Sequence, residues 1–241
     1  MARKFLAFDI ETAKDVPGDE FDWKPHRPLG ISCAATLASD SEQPRLWCGG
    51  VAQSSPSLKM SRDECAELVR YLRDSVAAGC TIVTWNGLAF DFDILAEESG
   101  MNAECKKLAL EQVDMMFHVV CVKGFPVGLD NAARGSGVKG KPAGMSGIKA
   151  PQLWQRGEHQ AVLDYVGQDV RTTLELALLC EERKSLRWIT QKGTRSECPL
   201  GSGWLVVEQA MRLPKPDTSW MTKPMLRSHF SAWLASESAS R

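Results

Sequence analysis

"KFLAFDIET", residues 4–12, opens on the apolar run Phe5 to Phe8 and then places Asp9 and Glu11 one residue apart, with Ile10 between them. As a strand this stretch has a fixed geometry. Alternate side chains share a face, so Asp9 and Glu11 converge on one side while Ile10 turns to the other. A buried strand that ends in two converging carboxylates invites two explanations: an exposed strand end that tolerates acids, or a site that needs them.

Two further segments bear on that choice. "TWNGLAFDFDIL" (84–95) runs from a buried strand through the turn pair Asn86-Gly87 into a helix that starts at or near Asp91, where an acid could also serve as a cap. In "EHQAVLDYVGQDVRTTLELALLCEERK" (158–184), Val162, Tyr165, Val166, Asp169, Val170, Thr173 and Leu176 recur at three and four residues, the period of an amphipathic helix. Asp169 therefore lies on the apolar stripe, where a charge is costly unless paired or metal-bound. Four acids from three segments repel one another if gathered. Divalent cations offset that repulsion, and oxygen donors without His or Cys suit Mg²⁺ or Mn²⁺, of which a pair supports in-line displacement at phosphorus.

The remaining chain supplies the frame. "LGISCAATLA" (29–38) and "RLWCG" (45–49) read as strands following the first in an antiparallel meander. "SRDECAELVRYLRDSVAAG" (61–79) opens with Ser61 and Glu64 in capping-box spacing and is a helix ended by Gly79. "TIVTW" (81–85) is a short buried strand, "FDILAEESG" (92–100) a helix, Val113 the centre of a last short strand, and "MMFHVVCV" (115–122) a helix. Residues 123–149 are rich in glycine around a short helix near Leu129 to Arg134. The order predicts an α/β domain with a mixed five-stranded sheet flanked by helices over residues 1–184. Residues 185–241 read as a small C-terminal appendage: a hairpin, a short helix within "GWLVVEQAMRL" and a closing helix "KPMLRSHFSAWL" (223–234).

Composition narrows the class. With 44% apolar and 24% charged residues among 241, the chain is of globular type. No apolar run suits a signal peptide or a membrane span, and eight scattered cysteines without a Cys-x-x-Cys pair fit reduced thiols, so a cytoplasmic protein with no membrane partner is expected. The net charge of −1 divides into −7 over residues 1–182 and +6 over 183–241. An acidic centre beside a basic neighbour suits a polyanion held near metal ions, which makes nucleic acid the expected partner.

"FDIET", "NGLAFD" and "YVGQD" resemble, in order and separation, the three exonuclease motifs of the DEDD superfamily of 3′-to-5′ exonucleases. Tyr165-x-x-x-Asp169 matches the tyrosine branch; the histidine branch would require His at 164, where this chain has Asp164. The Asn-Gly-x-x-Phe-Asp form of the second motif is similar to the exonuclease domains of B-family DNA polymerases and their stand-alone relatives. The resemblance covers about residues 3–182 and implies a ribonuclease H-like sheet and two Mg²⁺ or Mn²⁺ ions. It also implies that Asp9 bridges both ions while Glu11, Asp91 and Asp169 complete their shells. Tyr165 would orient or help deprotonate the attacking water; the alternative is a buried helix residue with its hydroxyl satisfied elsewhere.

Candidate substrate contacts are Thr12, Asn86, Lys139 and Lys141, with Lys149 nearby; Asn86 can equally be a turn residue, and the lysines solvated loop residues. Asp114 reads as a cap before a ligand, and His118 and His159 as ordinary helix or core histidines. The appendage contains Trp188, Trp204, Trp220 and Trp233 among basic residues, which can stack bases or form a small core, and it offers a surface for a protein partner. The expected activity is metal-dependent release of nucleoside 5′-monophosphates from single-stranded ends, DNA before RNA. Competing readings are a non-catalytic nucleic-acid-binding module and a phosphodiesterase specific for short oligonucleotides.

Overall fold

In the computed structural model, the residues described are 3–16, 23–50, 55–140 and 147–235. Lys141, one of the candidate contacts, lies outside them. Strand β1 (Lys4–Thr12) pairs antiparallel with β2 (Ile31–Ala38), which pairs antiparallel with β3 (Arg45–Cys48). Helix α1 (Arg62–Ala77) follows, with both halves of the Ser61–Glu64 capping box formed. Strand β4 (Cys80–Thr84) then lies parallel to β1, after which come α2 (Asp91–Ser99), α3 (Asn102–Glu111), the short strand β5 (Val113–Asp114) parallel to β4, and α4 (Met115–Lys123). The sheet order is β3-β2-β1-β4-β5, the mixed five-stranded arrangement expected from the sequence, with the strand that carries Asp9 and Glu11 at its centre.

Pleating of β1 divides the interior in two. Leu6, Phe8 and Ile10 enter one core with residues of α1, α2 and α3, whereas Phe5 and Ala7 enter the other, on the opposite face. Helix α5 (Leu129–Ser136), α6 (Ala150–Gln155) and the 25-residue α7 (His159–Arg183) cover that second face, and Val162, Val166 and Val170 of α7 pack into it. The alternation that sends Phe5 and Ala7 toward α7 sends Asp9 and Glu11 the same way. Two helices, α3 and α6, were not anticipated. Neither opens with a capping side chain; α6 starts on Ala150-Pro151, and a proline in the first turn is tolerated because its missing N–H would be unsatisfied anyway.

Beyond α7, strands β6 (Ser185–Ile189) and β7 (Arg195–Pro199) form the expected hairpin, followed by α8 (Val207–Ala210) and α9 (Ser228–Ser231). The closing helix is shorter than the periodicity of 223–234 suggested: one α turn passes into a 3₁₀ turn at Ala232–Ala235. Every buried apolar side chain of residues 185–235 joins one of the two cores, Leu186, Trp188, Cys198, Leu200 and Trp204 on the α7 side and Val207, Ala210 and Phe230 on the other. His118 of α4 is a core histidine: its Nδ1 accepts the Leu205 N–H at 3.3 Å and its ring meets Trp204 edge-on. The His159 ring lies tilted against Trp154, with centroids 4.5 Å apart. All eight cysteines are free thiols. Among the described residues no helix is long and apolar enough to cross a membrane.

Two measurements test this packing. A Cβ at Gly135 of α5 would fall 2.2–2.6 Å from the backbone of Trp188, so helix and hairpin meet with no room for a methyl group. Gly135→Ala should lower stability by about 1–3 kcal/mol, the range for an overpacked contact, and urea unfolding would reveal it; an unchanged midpoint would mean the hairpin is not seated on α5. Burial holds the His118 imidazole neutral, with its pKa lowered to about 4. The unfolded chain therefore binds the extra proton first, and stability from this group is present above about pH 6.5 and lost as pH falls toward 4, by about 3 kcal/mol in full. Relative to His118→Phe, the native chain should lose its advantage over that window in urea titrations at pH 7 and pH 4. A constant difference would contradict a buried neutral imidazole.

Candidate metal centre and its surroundings

The carboxylates of Asp9, Glu11 and Asp169 converge, one oxygen of each lying within 4.8 Å of the others. Their convergence follows from local structure. β1 delivers two acids to one face, and its register against β2 shifts between Glu11 and Thr12, an irregularity that ends regular pairing where the site begins. The Ser32 hydroxyl donates to the Glu11 carbonyl at 3.1 Å and fixes that end. α7 delivers the third acid from its buried stripe. Asp9 is half-buried, while Glu11 and Asp169 are 6% and 4% exposed, so the negative charge is held largely away from solvent.

Tyr165 precedes Asp169 by one turn on the same helix face, and its hydroxyl donates to the Asp169 carboxylate. Burial and the carboxylates of Glu11, Asp169 and Asp9 push the phenol well above its ordinary value. Burial, then Glu11 and, more weakly, Asp9, also raise the thiol of Cys33, which pairs with Glu11 across the β1–β2 ladder.

Asp91 stands outside the 4.8 Å grouping. It is the first residue of α2, but its side chain does not cap that helix. Oδ1 accepts the N–H of Ile10 at 2.9 Å, so Asp91 holds the strand at the residue between Asp9 and Glu11. Burial, then the nearby Asp114 and Asp169 carboxylates, push its pKa up to about 7, while the Ile10 N–H pulls it down. Asp114 has the capping role expected of it, accepting the Phe117 N–H at 3.0 Å, and a further one that the sequence did not reveal. Its two oxygens also accept the N–H groups of Asn86 at 3.1 Å and Leu88 at 3.0 Å, which clamps the loop from β4 into α2. Asn86 sits at φ +74° in that loop, and a Cβ on Gly87 would fall 2.3–2.7 Å from the Thr84 side chain, so the Asn-Gly pair is required by the turn itself.

The other candidates are dispersed. Thr12 is buried beside Glu11 at the register shift. Lys139 is exposed, and its carbonyl accepts the Thr172 hydroxyl at 3.0 Å, which ties the segment to α7 one turn beyond Asp169. Lys149 is exposed before α6, and a Cβ on nearby Gly147 would lie 3.9 Å from Glu11 Oε2, so this segment borders the site.

The donor set fits a hard divalent ion: three carboxylates, with no His or Cys in the group, suit Mg²⁺ or Mn²⁺.

Comparison with known proteins agrees with this architecture. No curated protein matches the sequence. Among solved structures, the fold is similar to the family B DNA polymerase of the archaeon Pyrobaculum calidifontis, with a TM-score of 0.52 and 19% identity over 76% of this chain and 24% of the polymerase. Exonuclease I from Methylocaldum szegediense aligns at 16% identity with a TM-score of 0.35, and E. coli Exonuclease I in its zinc-bound complex with single-stranded DNA at 16% and 0.39, each over 76% of this chain and 41% of the other. The chain thus spans between a quarter and two fifths of these proteins. The family model of the RNase H superfamily matches residues 49–180, more than half of the chain, and the sheet order around it is the one described above: the chain belongs to the RNase H superfamily.

Proposed function

We propose that this protein is a metal-dependent 3′-to-5′ exonuclease of the tyrosine branch of the DEDD superfamily, acting on single-stranded nucleic acid, DNA before RNA, and releasing nucleoside 5′-monophosphates. The observation that carries the proposal is the meeting of Asp9, Glu11 and Asp169 within 4.8 Å, with the Tyr165 hydroxyl on Asp169. An acidic cluster alone is common. One assembled by the central strand and a buried helix stripe, with a phenol aimed into it, supports a hydrolytic site.

Asp9, Glu11 and Asp169, with Asp91 as a further proposed ligand, would hold two Mg²⁺ or Mn²⁺ ions, and the bound ions would supply neutralising charge, polarisation of the scissile phosphate and an activated water. The protein's own groups do the rest. Asp91, through the Ile10 N–H, sets the positions of the two β1 carboxylates. Tyr165 is protonated at neutral pH, as any phenol is, so it enters as an O–H that donates to Asp169 and can turn to hold the attacking water in line. Asn86, whose backbone is fixed at positive φ by the Asp114 clamp, is a proposed contact to the strand near its 3′ end. Thr12, Lys139, Lys141 and Lys149 are further proposed contacts.

The test is digestion of matched single-stranded and duplex DNA and RNA, labelled at either end, with Mg²⁺, Mn²⁺ or EDTA. Asp9→Ala should abolish metal-dependent cleavage while leaving the apo fold intact, since it removes one of three repelling charges. Tyr165→Phe should lower the single-turnover rate by about 10²- to 10⁴-fold with metal and strand affinity kept. Substantial Mg²⁺-dependent cleavage by Asp9→Ala would sink the metal assignment. An unchanged rate for Tyr165→Phe would make that residue structural. Cleavage that proceeds from the 5′ end would overturn the polarity.

A further inference from the structure

Trp220 is the most exposed large apolar side chain among the described residues, at 69%. Exposed indole is costly, and this one is not loosely placed. Its ring meets Phe125 edge-on at 6.3 Å, and Phe125 in turn meets the buried Trp188 of β6 edge-on at 6.1 Å. The three rings form a ladder rooted in the core, with Trp220 at the open end.

This ladder walls a groove of 840 Å³ between the β6–β7 hairpin and the Phe125–Gly128 segment. Lys192 and Lys223 line it, and among the described residues no Asp or Glu does. A smaller hollow bordering Trp220 is lined by both Lys123 and Asp217, so the positive bias belongs to the larger groove. The groove continues into the neighbourhood of the β4–α2 loop. Its floor at Pro126, Val127 and Gly128 is shared with a second trough of 600 Å³ that is lined by Trp23, Lys24, His229 and Asn86. Trp85, adjacent to Asn86, donates from Nε1 to the Val127 carbonyl at 3.0 Å and fastens that floor to the loop carrying Asn86. An anchored exposed aromatic, cations without acids among the described residues, and a second trough that reaches Asn86 describe a track for a flexible polyanion bearing flat rings.

We propose that the groove is a subsite for single-stranded nucleic acid in which a base stacks on Trp220 and phosphates meet Lys192 and Lys223, upstream of the 3′ end held at the carboxylates. The direction of the strand rests on the exonuclease reading; the groove's affinity for a single strand does not.

The experiment uses the full chain with Asp169→Asn in Ca²⁺, so that strands persist, and measures affinity by fluorescence anisotropy for oligothymidylates of 2 to 12 nucleotides at several salt concentrations. Affinity should rise with length. Trp220→Ala should weaken the 12-mer by about 5- to 100-fold and flatten the length dependence, with Trp220→Phe restoring most of it. Replacing Lys192 and Lys223 with Gln should reduce the slope of log affinity against log salt by about 0.7 for each residue. Photocrosslinking of a 5-iodouracil-substituted 12-mer, mapped by mass spectrometry, should mark Trp220 without any change to the groove. Parental affinity and salt slope in both variants, with no crosslink at Trp220, would overturn the proposal and leave the ladder as a surface for a protein. The two readings separate cleanly: a native chain that binds the 12-mer through Trp220 but cleaves nothing in Mg²⁺ supports the groove and defeats the exonuclease, whereas cleavage with no effect of either variant does the reverse.

Discussion

Three carboxylates held within 4.8 Å of one another and mostly out of water repel strongly, and the fold must oppose that repulsion with rigid support. The support is visible on every side. The central strand is paired on both edges, by β2 and β4. The Ile10 N–H is held by Asp91, the Glu11 carbonyl by Ser32, and Asp169 by the long α7, whose neighbouring valines are wholly buried. A site of this kind is stabilised by what binds it, because a ligand that binds only the native state adds its own binding free energy to folding.

The C-terminal segment belongs to this support. Trp204 and Trp188 fill the α7-side core, and Trp233 donates from Nε1 to the Leu88 carbonyl at 2.6 Å. Leu88 is also one of the residues whose N–H is clamped by Asp114, so the loop between β4 and Asp91 is braced from two directions. Of the four tryptophans that the sequence left undecided between core and base stacking, Trp188 and Trp204 are core, Trp233 is a partly buried brace, and Trp220 alone points outward. The segment's basic charge and its apolar packing are therefore separate properties, carried by different residues.

Much of the fold and of the site was legible because the signals were strong and local. The apolar run of β1 ending in Asp-x-Glu, the Ser61–Glu64 capping box, and the three- and four-residue recurrence in α7 each reflect a single element's own geometry. Asp169 stood out because charge on a buried stripe needs a reason. What escaped were interactions between segments distant in sequence. Asp91 at a helix start looked like a possible cap, and only the structure shows its oxygen on the backbone of Ile10, 81 residues away. Asp114 looked like a cap and is one, yet its hold on Asn86 and Leu88 depends on β5 lying beside β4. Helices α3 and α6 lack capping side chains, and the exposure of Trp220 depends on the ring stack beneath it.

The central claim is that Asp9, Glu11 and Asp169 form a divalent-ion site. Electron paramagnetic resonance of Mn²⁺ titrated into the metal-free protein tests it directly, since the signal of free Mn²⁺ falls as the ion binds. Saturable loss of signal, displaced by Mg²⁺ and abolished in Asp169→Asn, is the predicted result. Full Mn²⁺ signal at every protein concentration up to the millimolar range, or binding that survives that substitution unchanged, would contradict it.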